Sequence, residues 1–247
     1  MKSLKINLFV AIAAVFTLAG CKDPEAAIGT LNLSSKAMWG SEEMQIGEVY
    51  EDSFGRPILV EQFRMYISNI TAIQDDGSEW VIEDIEQFNF AESWSMAATL
   101  PAGNYTGLKI GLGVPEEINA DQDPAQYATD HPLSVQSAEG MFWTWNSGYI
   151  FTKFEGKTAL DGDEQNMTDS YAFHVGSDNF YRTVEINKAF TIGEDDASAE
   201  MQFHCDQFLD GENDTIDLSQ DFITHTMDNM PLANRFTALF TEAITLN

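Results

Sequence analysis

Leu108-Lys109-Ile110-Gly111-Leu112-Gly113-Val114 decides the fold class, because every second residue in it is apolar. Side chains alternate between the faces of a β-strand, so this period places Leu108, Ile110, Leu112 and Val114 on one buried face. The pattern continues outward in both directions. Upstream, Leu31 and Leu33 open a first candidate strand, and Phe63-Arg64-Met65-Tyr66-Ile67-Ser68-Asn69-Ile70 forms another. Downstream come Gly148 to Phe154, Tyr171 to Val175, Arg182 to Ile186 and Glu200 to Phe208. Turn chemistry separates these runs at Asp75-Asp76-Gly77-Ser78, Pro101-Ala102-Gly103-Asn104, Asp161-Gly162-Asp163 and Asp210-Gly211-Glu212-Asn213. Many short strands at roughly 10-residue spacing predict an all-β domain, an antiparallel β-sandwich or barrel-like fold. The period changes once, at the C-terminus. Leu232, Phe236, Leu239, Phe240 and Ala243 make a single helical stripe, with Pro231 in the first turn and Asp228 and Asn229 as caps. Neither an internal repeat nor a break in composition interrupts residues 28–247, which read as one β domain.

The first 21 residues, MKSLKINLFVAIAAVFTLAGC, read differently. Lys2 and Lys5 precede a short apolar core from Leu8 to Leu18, and Leu18-Ala19-Gly20-Cys21 ends it. The core is too short for a spanning helix, which needs about 20 apolar residues. Leu-Ala-Gly-Cys resembles the lipobox of bacterial lipoproteins, which implies a signal peptide over residues 1–20 and a diacylglycerol on the Cys21 thiol. Residues 21–27 then form the lipidated tether, and several acyl chains give a stable membrane anchor. Lys22-Asp23-Pro24-Glu25 is in part similar to the export address of surface lipoproteins in Bacteroidetes-type bacteria. The expected location is the cell envelope, as an outer-membrane lipoprotein facing either the periplasm or the exterior.

Composition narrows the partners. The 247 residues are 44% hydrophobic and 12% aromatic, enough for a packed core in spite of 40 acidic against 12 basic side chains and a net charge of −28. Such a surface repels phosphate backbones and anionic lipid headgroups, so nucleic acid is excluded as a partner. The acids are spread along the chain, as on a solvated surface in a salty medium. With Cys21 committed to lipid, Cys205 has no intrachain partner. It alternates with Met201 and Phe203, which suits a buried and inert thiol.

Candidate chemistry concentrates in Gly140-Met141-Phe142-Trp143-Thr144-Trp145-Asn146-Ser147-Gly148-Tyr149-Ile150. As a strand it puts Met141, Trp143 and Trp145 on one face, either as a core wall or as the lining of a metal site. Two buried indoles would each require a hydrogen-bond acceptor. His131 lies in the preceding loop, within reach of Met141. His174 shares a strand face with Ala172 and Gly176, small neighbours that leave room beside the ring, whereas His204 alternates outward. His225-Thr226-Met227-Asp228-Asn229-Met230 offers one imidazole and two thioethers, donors that suit copper. Asp161-Gly162-Asp163-Glu164 and the run from Asp210 to Asp217 lack the order of a calcium loop and read as solvated turns. Nucleophile elbow, phosphate-cradling loop and His-Glu-x-x-His motif are all missing, so the chain reads as non-enzymatic.

Taken in order, several fragments carry a family resemblance. Gly140 to Tyr149, Phe63 to Ile70, Leu100-Pro101-Ala102-Gly103-Asn104-Tyr105, Gly111-Leu112-Gly113-Val114-Pro115, Phe154-Glu155-Gly156, Phe173-His174-Val175-Gly176 and Asn234 to Phe240 together resemble the MbnP-like family of exported copper-binding proteins. The resemblance implies a β-rich fold, copper as cofactor, and tryptophan oxidised to kynurenine by a di-haem partner of the peroxidase type. Carried onto this chain, Trp143 and Trp145 are the tryptophans open to oxidation, and His174 is the matching histidine; His131 and Met141, read from the residues alone, are the further candidate metal ligands. Where many relatives carry other histidines, this chain has Ala120, Phe88-Asn89-Phe90 and Met38 or Trp39. The alternative is a metal-free lipoprotein scaffold or adhesion module on the same fold. The lipid anchor has a direct check. Cys21→Ala should move the protein from the detergent phase to the aqueous phase on Triton X-114 partitioning, and an unchanged distribution would rule out lipid on this residue.

Overall fold

The computed structural model describes residues 27–119, 123–144 and 148–247. From the N-terminus, the chain runs through β1 (Ile28–Trp39), β2 (Glu42–Glu43), β3 (Val49–Glu51), β4 (Pro57–Gln74), β5 (Glu79–Asn89), β6 (Trp94–Pro101) and β7 (Gly103–Leu112). One helical turn, α1 (Glu116–Asn119), precedes β8 (Phe142–Trp143), β9 (Gly148–Thr158), β10 (Asp169–Gly176), β11 (Arg182–Ile192), β12 (Ala197–His204) and β13 (Ile223–Thr224). Helix α2 (Met230–Glu242) and β14 (Ile244–Leu246) complete it.

Two sheets result. The smaller runs β14-β12-β1-β2, with β6 also on β1; the larger runs β11-β7-β4-β9-β10-β13, with β3 and β5 on β4 and β8 on β9. Leu31, Leu33, Met201 and Phe203 of the smaller sheet share one apolar core with Phe63, Met65, Phe154 and Phe173 of the larger, and α2 adds Phe236, Leu239 and Phe240. This is the sandwich with a C-terminal helix that the alternation predicts. Most pairings are antiparallel, but β1 pairs β12, and β10 pairs β13, in parallel. Alternation assigns faces and is silent on strand direction, so those two pairings had no sequence signal.

The strand ends depart from the pattern for identifiable reasons. In β7, Leu108, Ile110 and Leu112 are buried as expected, yet the strand stops before Gly113. Gly113 takes a φ of +112°, and a Cβ there would lie 2.4 Å from the Phe151 ring, so the chain turns where only glycine fits. The strand expected to run to Phe208 ends at His204, and Cys205–Phe208 is a 3-10 turn. Phe208 and Leu209 are both buried in the same core, and the turn lets these two neighbours face it together. The turn seats Phe208 edge-on to Phe63 and Phe154, at ring-centroid distances of 5.3 and 5.4 Å. Cys205 is buried and unpaired, and burial pushes its thiol pKa up, as an inert side chain requires.

A second cluster forms on the other face of the larger sheet. Tyr66, Ile85, Val114, Leu133, Met141, Trp143, Tyr149 and Phe151 belong to it. The segment preceding β9 is fastened there by Tyr149 Oη, which donates to the Leu133 carbonyl at 2.8 Å, and by Arg64, which donates to the carbonyls of Glu139 and Ser137. Among the described residues no helix is long and apolar enough to cross a membrane.

Helix α2 begins as the sequence signals, with Asn229 Oδ1 accepting from the Leu232 amide. Its Arg235 then binds Asp214 through Nε at 2.6 Å and Asp221 through Nη1 at 2.5 Å, while Arg56 binds Asp217 at 2.8 Å. Two scarce cations thus hold an acidic loop against the sandwich. The Arg235 hydrogen bond, foremost, holds the Asp214 carboxyl below its ordinary pKa. A depressed carboxylate stabilises the fold above its unfolded pKa, about 3.9, and that contribution is lost as pH falls through the lower folded value. Asp214→Asn should cost about 1 kcal/mol at neutral pH, a small figure because solvent screens both partners. Urea midpoints of wild type and variant should converge as pH falls below the ordinary carboxylate value; a constant gap would remove the ion pair as the cause.

Candidate metal centre

Period two sets the orientation of His174 on β10. Phe173 and Val175 point into the main core, so His174 points to the opposite face, where its side chain is 13% exposed. The antiparallel neighbour β9 places Lys153 directly opposite His174 and Glu155 opposite Ala172. His174 Nε2 and Glu155 Oε2 are 2.5 Å apart, and Lys153 Nζ reaches the other Glu155 oxygen at 3.5 Å. The hydrogen bond from His174, foremost, and the Lys153 charge hold the Glu155 carboxyl below its usual range against the opposing effect of burial.

The other edge of β10 carries β13, and the chain just past β13 brings a second imidazole. His225 lies with its ring centroid 5.0 Å from that of His174, the planes at 79°. His225 Nδ1 is 2.9 Å from Asp228 Oδ2, and the His225 amide donates to Asp228 Oδ1 at 2.6 Å. Burial acts to raise the Asp228 pKa, but these bonds outweigh it and the carboxyl sits below its ordinary value. Each imidazole therefore has one ring nitrogen tied to a carboxylate. The ring nitrogens not tied to a carboxylate are then Nδ1 of His174 and Nε2 of His225. A carboxylate on the far ring nitrogen is the usual support of a metal-bound histidine, fixing tautomer and orientation.

The aromatic segment stands next to this pair. Trp143 is buried on β8, which pairs with Gly148 and Tyr149 of β9. Its indole lies on Gly176, two residues beyond His174: a Cβ at Gly176 would come within 2.8 Å of Trp143 Cζ3 and 2.4 Å of the Tyr149 carbonyl oxygen. Met141 is wholly buried in the second cluster. His131 stacks on Tyr127 at 4.3 Å, and its Nδ1 accepts from the Leu133 amide at 3.1 Å. The aromatic neighbour of His174 is thus His225, with His131 held in the loop over the second cluster. His204 pairs with the Thr245 hydroxyl. Trp145 and Cys21 lie outside the described residues.

Among the described residues, no three His, Cys, Asp or Glu side chains converge to hold a metal ion. The donor set is two imidazoles, short of the four ligands that structural zinc takes and unlike the oxygen cage that calcium takes. Two nitrogen donors, with soft Met227 nearby in sequence, fit copper in a low coordination number. Glu155 and Asp228 went unread in the sequence as supports of the histidines. Asp228 stands only three residues from His225, but the role of Glu155 depends on β9 and β10 lying side by side, which residue spacing does not reveal.

Comparison with known proteins agrees with the architecture. The family model described as MbnP matches residues 28–230, stopping at the first residue of α2. Among solved structures, MbnP from Methylosinus trichosporium superposes with a TM-score of 0.50 at 13% identity, covering 77% of this chain and 80% of that one. At such identity the likeness is one of fold. No curated protein matches the chain. The close approach at Gly176 is testable without metal. Gly176→Ala should cost about 1–3 kcal/mol, as overpacking does, and alter the near-ultraviolet dichroism of the indoles. An unchanged melting temperature and spectrum would mean that Trp143 does not rest on this backbone.

Proposed function

The chain belongs to the MbnP family, and from that membership we propose that it is a lipid-anchored, extracytoplasmic copper-binding protein without catalytic activity of its own. The observation that supports this reading best is the pair of imidazoles, His174 and His225, 5.0 Å apart and each backed by a carboxylate. Copper would be held by these two histidines and would supply a soft, redox-active centre. The residues around it orient and enclose it. Glu155 and Asp228 set which nitrogen each ring presents, and Lys153 offsets the charge of Glu155. Trp143, against Gly176, forms the adjoining wall. It is the described tryptophan whose oxidation by a di-haem peroxidase-type partner would bear on the centre. Met141 and His131 lie outside the proposed ligand set because the first is wholly buried and the second is engaged with Tyr127 and Leu133.

The test is copper content by elemental mass spectrometry on the domain from Lys22 onward, after loading and desalting. Stoichiometric copper is expected in the wild type and should be lost in both His174→Ala and His225→Ala. An acidic control protein without histidine pairs accounts for the diffuse cations that a chain of net charge −28 attracts. Copper no higher than in that control would overturn the proposal and favour the metal-free scaffold.

A further inference from the structure

His225 is presented by a turn that is strained at Thr226 and bonded there to the very strand that carries His174. Thr226 has a φ of +69°, in the left-handed region, where a β-branched residue is a rare outlier. The Met227 amide donates to the His225 carbonyl at 2.9 Å, closing a three-residue γ-turn around Thr226; the form with positive central φ is the strained one. Thr226 is wholly buried although it sits on a loop between half-buried His225 and exposed Met227. Its hydroxyl donates to the His174 carbonyl at 3.0 Å and accepts from the Gly176 amide at 3.0 Å. Its own amide donates to Thr224 Oγ1 at 3.1 Å. One side chain therefore fastens the His225 turn to β10 at His174 itself and at Gly176, the glycine on which Trp143 rests.

Such strain persists only where surrounding bonds over-determine the backbone, and it concentrates where a geometry must be held. Glycine or asparagine would take this φ more cheaply, but neither carries a hydroxyl that reaches both backbone groups of β10. We propose that Thr226 is a positioning residue for the metal centre: its strained turn and double hydroxyl bond preset His225 opposite His174 before metal arrives. This rests on the copper reading above. A pair assembled in advance spares binding the ordering cost of a loop that would otherwise close on the metal.

The experiment measures Cu(I) affinity by competition with a bicinchoninate chelator, alongside thermal melting of the metal-free protein. Thr226→Val removes the hydroxyl at nearly constant volume, and Thr226→Ser keeps it. Thr226→Val should weaken copper binding about 10- to 100-fold, the loss typical of removing a supporting partner of a ligand. Thr226→Ser should stay near wild type in both affinity and melting temperature. Weakened copper binding in a Thr226→Val protein that stays folded throughout the titration separates positioning from general destabilisation. If Thr226→Val does not fold, Thr226→Gly takes its place, relieving the φ while removing the hydroxyl. Wild-type affinity in the folded hydroxyl-free variant overturns the proposal. A wild type that takes up no copper overturns the copper reading itself, a result distinct from the first.

Discussion

The structure depends on β4, 18 residues long, which pairs with four other strands. Its first half pairs with β9 and its second with β7, so one strand joins the two halves of the larger sheet. The change of partner falls between Met65 and Ile67, just before a bulge. Asn69 takes a φ of +50°, and the register against both β5 and β7 slips there. The Tyr181 hydroxyl meets both Ser68 and Asn69 at this point. Because period two persists along the rest of β4, it feeds both cores: Phe63 and Met65 enter the sandwich, while Tyr66 enters the second cluster.

That two-sided sheet explains why the candidate centre sits where it does. Strands β9 and β10 bury one face in the sandwich, and their outward side chains, Lys153, Glu155 and His174, meet in a half-buried row. The aromatic segment covers part of the same outward face, and the turn after β13 covers its edge. A histidine on a bare sheet face would be solvated and mobile. Here Glu155 bonds the ring and His225 stands against it, which favours one orientation, the condition for a preorganised donor.

Charge shapes the molecule through scarcity. With 12 basic residues against 40 acidic ones, cations are few, and three arginines are placed where they restrain loops. Arg235 and Arg56 hold the acidic stretch before β13, and Arg64 holds the segment before β9. Each restraint therefore bears on a segment that leads into the candidate centre.

The local rules were legible in the residues themselves. Alternation around Leu108–Leu112 and Phe63–Ile67 marked strands and buried faces, and the stripe after Pro231 marked α2 with its Asn229 cap. Those signals depend on side-chain periods and capping chemistry, which act over a few residues. Strands β5 and β6 escaped notice because their exposed faces carry acids, serines and threonines that blur the period, and β12 was read too long because burial of Phe208 is a matter of what it meets across the sandwich. The candidate centre had the same limit. His174, Trp143 and the His225 segment stood out as residue types, but 50 positions separate the two histidines. Only the parallel docking of β13 on β10 decided that they face each other, since which strands become neighbours is set by packing of the whole core and not by the chemistry of either segment.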